Sequence, residues 1–246
     1  MNVQWKTAVI GGAIGAAFSL AIVFAFGWFG ILPGAGDARI HQYLLAHPNV
    51  LVDMSNKLQK QQADEEQQAH RATIAKLGLK RFFDPSVAYV TGPANAKNTF
   101  VEFFDYNCIH CRNSLATVMK FYNAHKSDTR FAFIEFPIFG DASTAAARTA
   151  LAARQQGNLY LTLHFLLMGE KNAIDNDVLF ADAKKAGLDM AKLDTALPAP
   201  GLELTIAAAH KLAERAKIDG TPTFIINGKV HPGEITDADL KELTKS

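Results

Sequence analysis

The sequence predicts an α/β protein. A mixed β-sheet carries helices on both faces, is interrupted by an inserted helical subdomain, and is preceded by a transmembrane helix and a helical stalk. Three observations carry this reading. Residues 86–136 alternate strand, helix and strand signals, a strand signal at 223–226 runs into the hairpin dipeptide Asn227-Gly228, and Thr7 to Leu32 holds no charged residue. A short strand–helix–strand crossover implies parallel pairing, and a late hairpin adds antiparallel strands.

As a helix, the charge-free run would span about 39 Å, more than the roughly 30 Å hydrocarbon core. It is also longer than the about 7–15 residues of a secretory signal core. It reads as a signal anchor within residues 1–36, the alternative being a long signal peptide cut near Ala35-Gly36. Lys6 precedes the span, and Asp37 and Arg39 follow it. That favours a cytoplasmic N-terminus, single-pass anchoring in the inner membrane and a C-terminal bulk on the periplasmic side. Trp5 and Trp28 stand near the two ends, as interfacial aromatics do. The Gly11/Gly15 pair carries no weight alone.

Residues 37–81 read as a helical stalk broken at Pro48. Val50, Leu51, Met54 and Leu58 recur at helical spacing, then Gln59 to Gln68 turn polar on all sides. An all-polar helix bridges or exposes itself rather than docking. The stalk reads as a spacer, with an oligomerisation element on its apolar half as the alternative.

Residues 82–246 form the folded domain. Phe82-Phe83-Asp84-Pro85 closes the stalk, Ser86–Val90 is a strand candidate, and Thr91-Gly92-Pro93 a turn. Asn98–Phe104 is a second strand. A helix starts near Cys108 and runs to about Asn123, and Arg130–Phe136 is a third strand ended by Pro137. Residues 141–217 read as successive helices, clearest at Ser143–Gln156 and Leu159–Met168. Thr223–Ile226 and Lys229–His231 flank the hairpin turn. Thr236–Lys245 closes the chain as a helix capped by Thr236, with Asp239 three residues on.

Composition excludes several classes. Net charge is +1, with 49% hydrophobic and 20% charged residues, so neither disorder nor nucleic-acid binding is indicated. No phosphate-binding loop, dinucleotide fingerprint, HExxH or EF-hand is present.

The two cysteines, Cys108 and Cys111, stand three positions apart. As a staple the pair is poor: so short a ring constrains the unfolded chain by only about 2 kcal/mol, against nearly 5 for a loop of about 100 residues. As a redox switch it is well placed. Cys108 falls where a strand gives way to a helix, whose unpaired N–H groups and partial positive charge favour a thiolate, the reactive form. Cys111 lies one turn deeper, positioned to attack a mixed disulfide on Cys108. His110 between them can stabilise the thiolate, which makes the disulfide form a stronger oxidant. Glu102 sits in a strand apolar on both faces, where burial raises its pKa and makes it a candidate proton acceptor for Cys111. Pro222, in Gly220-Thr221-Pro222-Thr223-Phe224, precedes a strand and suits a turn or a cis bond. A cis proline beside the dithiol would leave neighbouring backbone groups free to pair with an extended substrate.

The stretch Val101-Glu102-Phe103-Phe104-Asp105-Tyr106-Asn107-Cys108-Ile109-His110-Cys111, with Gly220-Thr221-Pro222-Thr223-Phe224 over a hundred residues later, resembles the DsbA-like family of the thioredoxin superfamily. The resemblance runs from Ser86 to the C-terminus and implies a thioredoxin fold with a helical insertion. It implies thiol–disulfide exchange on exported proteins, with Cys108 attacking, Cys111 resolving, His110 favouring the thiolate, Glu102 as buried acid and Pro222 as the cis-proline. Thr221 and Pro222 would meet substrate. The redox-active Cys108–Cys111 disulfide would be the only prosthetic element, with no other cofactor and no resident metal. Implied partners are cysteine-containing exported proteins and a membrane redox partner, not nucleic acid. Ile109 stands where the best-known oxidases have proline. Thr221 is more like the isomerases and their trimeric suppressor-type relatives, which oligomerise through an N-terminal extension like this stalk, so oxidase and isomerase both stay open. Two readings compete: a soft-metal (copper) chaperone using Cys108, His110 and Cys111, and a redox-inert adaptor.

Overall fold

The computed structural model describes residues 35–245. The expected transmembrane helix, with Trp5, Trp28, Gly11 and Gly15, lies almost wholly outside them. Among the described residues no helix is long and apolar enough to cross a membrane. The chain divides into two compact units, one ending at Asp64 and the other beginning at Glu65.

The described part of the first unit is helical. Helix α1 (Ala35–Ala46) ends before Pro48, and α2 (Asn49–Leu77) restarts at once. Proline supplies no N–H to continue the ladder, so the break falls where the sequence places it. Ile40, Tyr43, Leu45, Leu51, Val52, Met54 and Leu58 are each more than half exposed.

The second unit holds the sheet. Strands β1 (Tyr89–Thr91), β2 (Asn98–Phe104), β3 (Thr129–Glu135), β4 (Thr223–Ile226) and β5 (Lys229–Pro232) lie in the order β1-β3-β2-β4-β5. Strands β2 and β3 are parallel through the α3 crossover (Ile109–His125), and the other pairs are antiparallel. Helices α4 (Asp141–Ala153), α5 (Leu159–Met168), α6 (Asn176–Lys185), α7 (Met190–Ala196) and α8 (Pro200–Ala216) follow, and α9 (Asp237–Leu243) closes the chain. The mixed sheet, its helix-covered faces and the insertion agree with the expected fold.

Period-two alternation sends Phe100, Phe104, Phe131, Phe133 and Phe224 to one face, with the helical insertion and both cysteines. It sends Val101, Phe103, Ala132, Ile134 and Ile225 to the other, with Ala209, Leu212 and Ala213 of α8. Each fully buried large side chain contributes about 1.5–3 kcal/mol. Ile74, inside the expected stalk, is buried in this second cluster with Phe82 and Phe83, so the end of α2 belongs to the domain's core.

Strand β1 corrects an expectation. Ser86–Val90 was the strand candidate, but Val87 and Ala88 belong to a turn whose N–H groups both bond the Asp84 carbonyl, at 2.9 Å. Their burial mimics a strand's apolar pattern, and pairing starts only at Tyr89. The following turn needs its glycine: at φ 82° a Cβ on Gly92 would collide with the Thr129 carbonyl. At the chain's end the predicted cap is present. Thr236 Oγ1 accepts from Asp239 N–H at 3.3 Å, and Asp239 Oδ2 accepts from Thr236 N–H at 2.9 Å. Such a box is worth about 1 kcal/mol.

Candidate active site

Strand β2 ends at Phe104, and the chain turns at Asp105–Asn107 before α3 begins. The buried Asp105 carboxylate organises that turn. Its Oδ1 accepts from Asn107 N–H (2.7 Å), and its Oδ2 accepts from Ile138 and Phe139 N–H (2.7 and 3.0 Å). Cys108 is the N-cap residue of α3, and its N–H bonds the Asp105 carbonyl at 3.1 Å. The first N–H groups of the helix therefore face the Cys108 sulfur.

Both cysteines are free thiols, and Cys108 keeps 2% of its surface. The Cys108 thiol donates to the Thr221 carbonyl oxygen at 3.2 Å, and the Thr221–Pro222 peptide is cis. The two sequence segments, more than a hundred residues apart, thus meet at one sulfur. The Cys108 pKa is pulled down to about 5. The largest cause is the Cys111 thiol bonding to the thiolate, followed by the Thr221 side chain and the N–H groups of Cys111 and His110, while burial opposes them. Cys111 moves the other way. Burial, then its bond to Cys108, then the nearby Glu102 charge push its thiol well above the ordinary range.

Glu102 is 3% exposed and points to the cysteine side of the sheet. Burial first, then the Cys108 charge, push its pKa up to about 8. Its Oε2 is buried without a hydrogen-bond partner. The carboxyl therefore does not face solvent.

His110 has a partner that the sequence does not announce. Its backbone N–H serves the Cys108 thiolate, but its ring is 61% exposed and Nδ1–H donates to Glu234 Oε1 at 2.6 Å. Asn113 Nδ2 donates to the same oxygen at 2.7 Å. Glu234 lies in the β5–α9 connection, which no local sequence signal tied to the dithiol.

Two further groups went unread. Arg112 follows Cys111 directly. It donates to the Tyr106 carbonyl (2.8 Å), the Asn172 carbonyl (2.7 Å) and Asn107 Oδ1 (3.2 Å). Asn107 Oδ1 also accepts from Ile174 N–H at 2.8 Å, so the pair fastens the insertion to the cysteine turn. Deeper, Glu135 Oε1 accepts from Tyr106 (3.0 Å) and Tyr160 (2.8 Å), and His164 Nδ1 lies 3.2 Å from the Tyr106 oxygen. Because the one Tyr106 proton goes to Glu135, His164 donates from Nδ1. Burial pushes Glu135 up to about 8 against its two hydrogen bonds, and pulls His164 down to about 3. His164 is buried, and His210 packs on Phe136 with ring centres 4.7 Å apart.

Among the described residues, no three His, Cys, Asp or Glu side chains are grouped to hold a metal ion. Cys108, His110 and Cys111 do not form such a group there.

A family model described as Thioredoxin matches residues 86–246, and one described as Copper resistance protein ScsC N-terminal domain matches residues 37–65. The crystal structure of a thioredoxin-like oxidoreductase from Silicibacter pomeroyi is 37% identical, with a TM-score of 0.61, over 66% of this chain and 92% of that one. A thiol:disulfide interchange protein DsbA from Bordetella parapertussis is 27% identical over 52% of this chain and 63% of its own length. A Na(+)/H(+) antiporter NhaA from Herminiimonas arsenicoxydans is 25% identical over 59% of this chain, but the chain spans only 23% of that protein. With the dithiol at a helix N-terminus, the cis-proline against it and a family match over the whole second half and more, the chain belongs to the thioredoxin superfamily as a DsbA-like protein.

Proposed function

We propose that the protein carries out thiol–disulfide exchange on exported, cysteine-containing proteins through Cys108 and Cys111. The observation that carries this is the Cys108 sulfur: it caps a helix, lies 3.2 Å from the carbonyl before a cis-proline, and is held near pKa 5.

The reaction balances on these groups. The Cys108 thiolate attacks a substrate disulfide, forming a mixed disulfide and releasing one substrate thiolate. Bonding removes the Cys108 charge, one of the two causes holding Glu102 protonated. Glu102 can then give its proton, by way of solvent, to the released substrate thiolate and accept the Cys111 proton, and the Cys111 thiolate attacks Cys108. The Cys108–Cys111 disulfide forms, and the second substrate thiolate leaves with the electron pair. Run in reverse, the same steps oxidise a substrate dithiol. Thr221 and Pro222 offer backbone to an extended substrate beside the sulfur.

The stable thiolate supports an oxidising poise. Titration against glutathione should give a potential nearer about −120 mV than about −270 mV. The same poise keeps an isomerase's dithiol reduced, so the substrate assay decides between those roles. The direct test is Cys111→Ala, which should trap mixed disulfides on Cys108 in the periplasm; a complete lack of conjugates would refute the proposal. Tight stoichiometric copper binding by reduced protein, without exchange, would favour the chaperone reading instead.

The proposal extends to the rest of the chain: residues 1–36 anchor the protein in the inner membrane, residues 37–81 form the stalk, and residues 82–246 work on the periplasmic side with a membrane redox partner. The exposed apolar side chains of α1 and α2, within a segment that matches an ScsC N-terminal domain, support self-association through the stalk. Light scattering on a chain starting near Asp37 should show an oligomer that Leu51→Asp with Leu58→Asp dissolves.

A further inference from the structure

We propose that Glu234 is a positioning residue for the dithiol: from the β5–α9 connection it holds His110 as a tethered cation beside Cys108, with Asn113 fixing the carboxylate. The inference rests on the exchange reading and adds a distant residue to its site.

The geometry is a closed set. Glu234 Oε1 accepts from His110 Nδ1 at 2.6 Å and from Asn113 Nδ2 at 2.7 Å. Two donors on one oxygen leave that carboxylate little freedom to turn. The next residue is tied to the same helix turn: Ile235 N–H donates to Ser114 Oγ (3.2 Å), whose hydroxyl donates to the His110 carbonyl at 3.0 Å. On the other side, His231 Nε2 lies 2.9 Å from the Glu234 carbonyl oxygen, steadying the connection. So the carboxylate is built into the start of α3 from a segment over a hundred residues away, and is not a passing surface pair.

The charges near His110 are few. Glu234 faces it from the connection, and the Cys108 thiolate from the turn before α3. Arg112, on the same helix, is committed to the Tyr106 and Asn172 carbonyls and to Asn107. His231 faces the Glu234 main chain. Glu234 first, and the Cys108 charge after it, favour protonated His110, and His110 first then Asn113 favour ionised Glu234. The imidazolium is thus favoured where the thiolate needs a counter-charge. Glu234 also carries a negative charge of its own, which opposes the thiolate directly. The two effects have opposite signs, and this makes the role testable.

The experiment is the ultraviolet thiolate titration of Cys108 in the reduced full-length protein, where Cys111 stays protonated and does not interfere. It compares wild type, Glu234→Gln, His110→Gln and the double variant, with the His110 pKa followed by NMR. Glu234→Gln should lower the His110 pKa and raise that of Cys108 by about half a unit, roughly threefold in the thiolate equilibrium. In the His110→Gln background the same substitution should leave Cys108 unchanged or lower it. Because both partners are exposed, high salt should shrink the wild-type effect. An equal rise in both backgrounds, or no rise in either, overturns the assignment, as does an unchanged His110 pKa. If wild-type Cys108 itself titrates like free cysteine, the exchange reading falls with it. A low wild-type value with no coupling removes only Glu234. Melting curves of all four proteins confirm that the comparison is made on folded chains.

Discussion

Two buried carboxylates on neighbouring strands, Glu102 of β2 and Glu135 of β3, have the same elevated pKa of about 8 and opposite surroundings. Glu135 is 2% exposed and receives two tyrosine hydroxyls, one of them also bonded by His164. Glu102 is as deeply buried, yet one of its oxygens has no partner and its near neighbours are the two sulfurs. An elevated pKa alone therefore does not mark function. A buried acid whose hydrogen bonds are complete is part of the framework; one left short of partners beside a thiol is positioned to accept a proton.

The comparison breaks most visibly in stability. Glu135→Ala strands two buried hydroxyls, which should cost about 1–3 kcal/mol for each, read as a lower denaturant midpoint. Exchange by the protein that remains folded should be little altered. Glu102→Gln should do the reverse. It removes an underbonded acid, so stability should hold or rise, while resolution of the mixed disulfide slows by about 100-fold, the lower end for a positioned base. Rapid-mixing kinetics of conjugate decay would read this. Equal losses in both assays for both variants would erase the distinction.

A third prediction concerns pH. The folded pKa of Glu102 lies above its unfolded value of 4.5, so the folded state binds the extra proton between about 4.5 and about 8. Wild-type stability from this group is complete below that window and is lost as pH rises through it. The stability advantage of Glu102→Gln over wild type should therefore grow from pH 4.5 to 8, by at most about 1.4 kcal/mol per unit, and then level off. Taking the difference removes the opposing contributions of Cys108 and His164, whose folded pKa values are depressed. A flat difference curve would show that Glu102 is not held protonated. The smallest expected effect is that of Thr221→Val. With Cys108 as a thiol the Thr221 hydroxyl is buried without a partner, and it bonds only the thiolate, so its loss should change stability by under about 1 kcal/mol while raising the Cys108 pKa by a few tenths, about twofold in reactivity.

Features written in consecutive residues were legible beforehand. Strand β2 and strand β4 match their expected bounds, the Thr236 cap is present, and Glu102, the dithiol and Pro222 converge as their residue types suggested. Contacts between distant residues that lie outside those motifs were not. Glu234 sits 124 positions from His110, and the Glu135 cluster joins residues 25, 29 and 58 positions apart. Each of these side chains, read locally, is an ordinary member of its strand or helix. Burial also misled: Val87 and Ala88 look like strand residues because they are apolar, but Asp84 draws their N–H groups into a turn. Ile74 was hidden for the opposite reason, as a lone apolar position at the end of a long polar helix.

The narrow exposure of Cys108 reaches beyond the chemistry. Cys108 shows 2% of its surface, and the Thr221 carbonyl stands 3.2 Å from its sulfur, so an incoming disulfide finds little room there. A cystine locked inside a rigid body cannot bring its sulfur down that keyhole, whereas a slack, half-folded chain can thread one in. Under the proposed exchange, selection of clients by looseness would need no recognition sequence: newly delivered chains would be admitted, and finished ones turned away by their own shape.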